Sequence, residues 1–174
     1  MKGRYFLKKT RGFEVVEHLK DKEINLPVRG TLYSAGYDFE AAETMVIPSL
    51  HKTYAQYSWT NEFSEEIIKK AKPTMIPTGI RSYMPSDEYL ALHARSSLCK
   101  KGLILANGVG VVDSDFYNNP QNHIHFPLWN LGMDDVVIEK GTRIGQGIFH
   151  KYALADQDTV LIKERVGGFG SSGE

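Results

Sequence analysis

Two carboxylates stand one residue apart where an apolar run meets a turn, in Asn107-Gly108-Val109-Gly110-Val111-Val112-Asp113-Ser114-Asp115-Phe116. An aspartate held at the rigid end of a strand can orient a water molecule and take its proton. The backbone N–H and C=O groups of a hairpin there are spaced to read the edge of a nucleobase, and a close-fitting backbone leaves no room for an extra methyl group. Upstream, Arg95-Ser96-Ser97 joins a guanidinium fork to two hydroxyls and accessible N–H groups, a set that suits phosphate oxygens. Downstream, Arg143 and Gln146 in Gly141-Thr142-Arg143-Ile144-Gly145-Gln146 offer further donors to the same polyphosphate. Asp38, between Tyr37 and Phe39, can hold water ligands of a metal ion. The arm Arg165-Val166-Gly167-Gly168-Phe169-Gly170-Ser171 carries a cation, an aromatic and a hydroxyl on a glycine-rich backbone. Such an arm can close on a nucleotide, with Phe169 on the base and the backbone around the phosphates. Taken singly, each stretch is more simply read as ordinary turn chemistry or a frayed end.

The elements that must position these groups read as short strands. Segments 13–16, 45–47, 79–84, 89–93, 103–105, 109–112, 124–129, 135–138 and 144–149 are rich in β-branched and aromatic residues and are separated by Gly, Pro, Asn and Asp. The spacing predicts an all-β sandwich, barrel or jelly roll. Pro48, Pro73, Pro77 and Pro85 read as stops. Segment 61–72 differs: Phe63, Ile67, Ile68 and Ala71 follow helical spacing. Its glutamates come early and its lysines late, as a helix dipole favours. Residues 49–72 are therefore expected as a helical insertion on a single β domain that spans 1–174. The apolar face of the insertion is expected to pack on its own subunit. The glycine- and serine-rich end from 165 to 174 is expected as a flexible arm.

The bulk composition narrows the function classes. The chain has 174 residues, 41% of them hydrophobic, enough for one domain with a core. Lys plus Arg and Asp plus Glu are each 21, so the basic surplus of a duplex nucleic-acid binder is missing. Cys99 is the single cysteine, which excludes an intrachain disulfide; it is expected to be small, buried or semi-buried. With no signal-like start and no run long enough for a bilayer, a cytoplasmic protein is expected.

Together and in this order, the motifs resemble the trimeric dUTPase family. The resemblance rests on Ala35-Gly36-Tyr37-Asp38, Arg95-Ser96-Ser97-Leu98, Gly110-Val111-Val112-Asp113-Ser114-Asp115-Phe116, Arg143-Ile144-Gly145-Gln146 and Gly168-Phe169-Gly170-Ser171-Ser172-Gly173. It implies a jelly-roll homotrimer whose active sites lie between subunits. The implied reaction is magnesium-assisted hydrolysis of dUTP to dUMP and pyrophosphate, which limits uracil in DNA and supplies dUMP for thymidylate synthesis. By the same resemblance Asp113 activates the water, and Asn107 with the hairpin backbone at Gly110 and Val112 binds uracil. Phe116 packs on the deoxyribose. Arg95, Ser96, Ser97 and Gln146 hold the phosphates, and Asp38 binds a water of the Mg2+ shell. Phe169 of a neighbouring arm stacks on uracil, while Arg165, Gly170 and Ser171 help close that arm.

The sequence departs from the family pattern in three places. Phe116 stands for the usual tyrosine, residues 117–121 replace a shorter Arg-Gly turn, and a single residue, Val166, separates Arg165 from the glycine pair. Other readings compete. A dCTP deaminase of the same fold needs a catalytic glutamate where this chain has Pro127. A nucleotide-gated regulatory protein would use the insertion and residues 54–59 as a surface for a partner. His123 and His125 share one strand face, but two ligands are too few for structural zinc.

Overall fold

Alternate glycines decide which way the longest strand faces. In β12 (Arg143–Lys151), a Cβ on Gly145 would run into the Phe126 ring. One on Gly147 would come within 2.8 Å of Phe39 and 3.0 Å of Leu90. Both glycines therefore face the core, and the two-residue period of a strand turns Gln146 to the opposite face.

The computed structural model describes residues 9–55 and 72–159. Around β12 the described strands are β1 (Gly12–Val15), β2 (Val28–Arg29), β3 (Tyr37–Glu40), β4 (Met45–Ile47), β5 (Thr74–Pro77), β6 (Ile80–Tyr83), β7 (Glu88–Ala94), β8 (Leu103–Leu105), β9 (Gly110–Asp113), β10 (His125–Asn130) and β11 (Val136–Ile138). Two short helices, α1 (Leu50–Ala55) and α2 (Ser96–Cys99), and 3-10 turns at Glu17–Leu19 and Ser114–Asn118 complete them. The largest sheet has the order β2-β3-β12-β7-β9; β5-β10-β8 form a second, and β1-β6 and β11-β4 are pairs. Every ladder between the described strands is antiparallel. The sheets close on one apolar core in which Phe39, Phe126, Leu90, Leu128 and Ile144 have no exposed surface. Phe39 and Phe126 meet at 5.7 Å between ring centroids. This is the all-β architecture the strand spacing predicts, in the jelly-roll form the family resemblance implies. None of the described helices is long and apolar enough to cross a membrane.

Several sequence expectations need correction. Tyr37–Glu40 and Thr74–Pro77 are strands the reading passed over, as is Val28–Arg29. Pro77 is the last residue of β5, in keeping with its reading as a stop. Pro127 lies inside β10, where its carbonyl accepts the Ala106 N–H at 2.8 Å. Carbonyl and N–H of one residue point to the same neighbour in an antiparallel ladder. The missing N–H is thus lost only at the end of the β8 pairing, which stops at Leu105. The hairpin expected at 107–116 is not a paired hairpin: β8 pairs with β10, and β9 with β7, so the turn between them crosses from one sheet to another.

The insertion begins as α1, and its root is tied to the same chain. Ser49 is fully buried, its Oγ donates to the Gly132 carbonyl at 2.6 Å, and its N–H donates to Asp135 Oδ1 at 2.9 Å. Lys52 adds ion pairs to Asp134 and Asp135. The helix expected over 61–72 falls, up to residue 71, outside the described residues.

Candidate functional site

The outward face of β12 gathers the phosphate-type residues. Gln146 pairs with Asp38 of β3 on one side and His93 of β7 on the other, so the three stand in a row. A regular strand would put Arg143, three residues from Gln146, on the opposite face. The register shift between Arg143 and Gly145 makes Ile144 an extra residue, fully buried, and this bulge returns Arg143 to the Gln146 face. Arg143 Nη1 then lies 3.2 Å from Asp38 Oδ2. Arg95, just past the end of β7, reaches across β12 to place its Nε 3.2 Å from Asp38 Oδ1. Two guanidiniums on one carboxylate leave a local positive surplus, suited to an anion. Gly36 is buried beneath the Gln146 amide, which a Cβ there would strike.

Ser96 and Ser97 project to solvent from α2, while Leu98 in the same turn is 2% exposed and anchors it. The helix gives way to Gly102 at φ +72°, backed so closely against Gly132 that a Cβ would sit 3.0 Å from the Gly132 nitrogen. Cys99 is exposed, not semi-buried as expected, with its thiol 2.8 Å from the Ser96 carbonyl. A one-turn helix has too few faces to hide it.

The second group lies on β9. Gly108, at φ +67°, turns the chain, with its N–H on the Leu105 carbonyl at 3.1 Å. Asn107 is exposed and folds over the buried Gly110, where a Cβ would be 3.3 Å from its Nδ2. Among the described residues β9 is an edge strand, so the backbone N–H and C=O groups of alternate residues face away from β7. Val112 is 7% exposed and packs in the core, its backbone paired with Leu90 of β7. Asp113 ends the strand on the same outer sheet face as Gln146 and His93. It stands opposite Tyr89, whereas the Asp38–Gln146 row meets β7 at His93. Four residues of strand separate the two groups by about 13 Å along the strand direction, and the two strand spacings from β9 to β12 add about 10 Å across the sheet.

Phe116 follows in the 3-10 turn and packs into the core cluster, 8% exposed. The ring expected against a sugar is thus engaged mostly inside its own chain. Arg165, Phe169, Gly170 and Ser171 lie outside the described residues. His123 and His125 do share a face, with ring centroids 4.2 Å apart. His123 Nδ1 accepts the Gly79 N–H at 3.2 Å. Burial, then the neighbouring His125 and His18, push the His123 pKa down to about 4. Among the described residues no group of three or more His, Cys, Asp or Glu is placed to hold a metal.

Sequence reasoning missed the role of Tyr117, Glu14 and Arg81. The Tyr117 hydroxyl donates to Glu14 Oε2 at 2.8 Å, and Arg81 Nη2 lies 3.1 Å from the same oxygen. Nothing local announces this, because the partners are 103 and 67 residues from Glu14 in the chain.

Comparison with known proteins bears on this geometry. The dUTPase family model matches residues 62–173. Over 169 residues the chain is 46% identical to the deoxyuridine 5'-triphosphate nucleotidohydrolase of Lactococcus lactis subsp. lactis (strain IL1403), covering 95% of this chain and 99% of that one. A crystal structure of dUTPase from Streptococcus mutans superposes with a TM-score of 0.66 at 37% identity, covering 83% of this chain and 98% of the other. A mutant dUTPase from phage phi11 of S. aureus, described with a coordinated structural Mg(II) ion, aligns with a TM-score of 0.62 over 90% of this chain and 99% of its own. At 15% identity the phage likeness shows the fold alone.

Proposed function

The chain belongs to the dUTPase family, and from that premise we propose that it hydrolyses dUTP to dUMP and pyrophosphate as a cytoplasmic homotrimer in which Asp113 activates the attacking water. The reading is carried by one observation: Asp113 and the cationic row at Asp38, Gln146, Arg95 and Arg143 share one sheet face yet are offset by about 13 Å along the strands, with further strand spacings between them, in a single chain. Water on the α-phosphorus must touch both the base and the phosphate donors at hydrogen-bond range. That distance closes when Asp113 of one subunit meets the phosphate row of another, which supports a site shared between copies. The described core with arm 165–174 forms the single-domain unit of this trimer.

In this scheme Arg95, Ser96, Ser97 and Gln146 grip the triphosphate and fix it for in-line attack. Asn107 and the close-fitting β9 segment at Gly110 and Val112 read uracil. The methyl group of thymine meets backbone there, and cytosine presents the wrong donor pattern. Arg165, Phe169, Gly170 and Ser171 cover the nucleotide from a neighbouring arm. Magnesium fits as a passenger of the triphosphate rather than a resident of a protein cage. It is a hard cation that takes oxygen ligands and keeps waters, and Asp38 is the carboxylate within the cationic row, fit to hold one such water. When bound, the ion offsets phosphate charge.

Pyrophosphate release from dUTP, dTTP, dCTP and UTP with magnesium tests the assignment. Release from dUTP alone is expected, falling on the order of a hundredfold or more in Asp113→Asn. Equal release from dTTP, or an unimpaired Asp113→Asn, would overturn it.

A further inference from the structure

The turn that carries Asp113 is gripped from both sides, and the outer grip has no place in the scheme above. Glu14 of β1 and Arg81 of β6 are direct cross-strand partners, which accounts for their ion pair. Tyr117, from the 3-10 turn that begins one residue after Asp113, enters this pair. Its hydroxyl bonds Glu14, its ring lies under the Arg81 guanidinium at 4.3 Å, and its edge meets Tyr83 at 5.9 Å. Lys9 closes on the other Glu14 oxygen at 2.9 Å. Three donors thus converge on one carboxylate that is 27% exposed. One residue earlier, Phe116 is locked into the core. With the inner and outer neighbours both held, the turn has little freedom to swing.

We infer that Tyr117 is a positioning residue for the water-activating step: the Tyr117–Glu14–Arg81 clamp holds the 114–118 turn, and through it the carboxylate of Asp113, against the β1–β6 pair. The inference rests on the reading of Asp113 as the water-activating group. A hydroxyl on a carboxylate is a charge-assisted bond and is directional. Small displacements of a catalytic group are costly to rate. Where a short Arg-Gly-type turn would end the segment, this chain has residues 117–121, of which Tyr117 enters the clamp.

Tyr117→Phe keeps the ring under Arg81 and removes only the hydroxyl. Its kcat for dUTP is expected to fall roughly ten-fold, with KM changed by less than about two-fold. Glu14→Gln should lower kcat in the same way, and the two changes together should cost little more than one. In an Asp113→Asn background, Tyr117→Phe should have no further effect, because there is no base left to aim. Melting temperatures taken alongside separate aiming from folding. A merely structural clamp would lower the melting temperature and leave kcat of the folded enzyme unchanged, and that result overturns the inference. So does a Tyr117→Phe loss of equal size in the Asp113→Asn background. An Asp113→Asn protein with full activity would instead sink the underlying assignment of the base, a separate outcome read from the single variant.

Discussion

Arg95 and Asp38 meet across an intervening strand, Nε to Oδ1 at 3.2 Å, with Arg143 on the other carboxylate oxygen. The carboxylate therefore holds two cations that a triphosphate would also seek. Asp38→Asn frees both guanidiniums and removes the acidic acceptor for a metal-bound water. A non-hydrolysable dUTP analogue should then bind at least as tightly without magnesium, while hydrolysis should need more magnesium for half-saturation. Calorimetric titration with and without the metal, beside a magnesium dependence of kcat, reads both. Weaker metal-free binding would show that Asp38 orients the arginines rather than competing for them.

Gly36 is the floor on which the Gln146 amide rests. A methyl group there drives the amide from its place without touching the core. Gly36→Ala is expected to raise KM for dUTP roughly ten-fold or more, the scale of one lost hydrogen bond to a charged group. It should resemble Gln146→Ala, and the double variant should be no worse than either single one. Additive losses would assign Gly36 some other role.

Much of this arrangement was legible in the sequence, for particular reasons. Met45–Ile47 and Leu103–Leu105 were read to their bounds because apolar and β-branched residues dominate them. Tyr37–Glu40 escaped because its alternate residues are acids that serve the outer face, which depresses strand propensity where the site needs it. The common face of Arg143 and Gln146 was not readable, since strict alternation separates them and only the bulge at Ile144 joins them. Nor could composition reveal that the turn at 107–109 changes sheets. The partners of Tyr117 are remote in sequence, and no periodicity points to them.

Gly145 tests how tightly the site is bolted to the core. Its Cα lies against the Phe126 ring, which has no exposed surface and no room to retreat. Gly145→Ala is expected to cost about 1–3 kcal/mol, the usual penalty for overpacking. Phe126→Leu should itself destabilise by leaving a void, yet the double variant should be more stable than the sum of the two, because the new methyl occupies vacated space. Chemical denaturation of the four proteins gives the coupling. Strict additivity would mean that the ring and the glycine do not share the space.

The histidines set how stability responds to mild acid. Burial holds His123 at about 4 and lowers His125 as well, while both return to about 6.5 in an unfolded chain. For a base with a depressed folded pKa, the unfolded chain binds more protons between the two values. Stability is therefore complete above about pH 6.5 and is lost as the pH falls toward 4. The hydrogen bond and charge of Lys9 on Glu14, of Arg11 on Glu88 and of Lys151 on Asp87 hold those carboxyls below their ordinary values of 4.5, 4.5 and 3.8. Their contributions are present above those ordinary values and fade at more acid pH, so the window from about 4.5 to 6.5 belongs to the histidines. Melting temperature should drop across it. His123→Asn keeps an acceptor for the Gly79 N–H but cannot take up a proton, so its profile should be flatter than that of the parent chain. Parallel profiles for the two proteins would remove His123 as the group responsible.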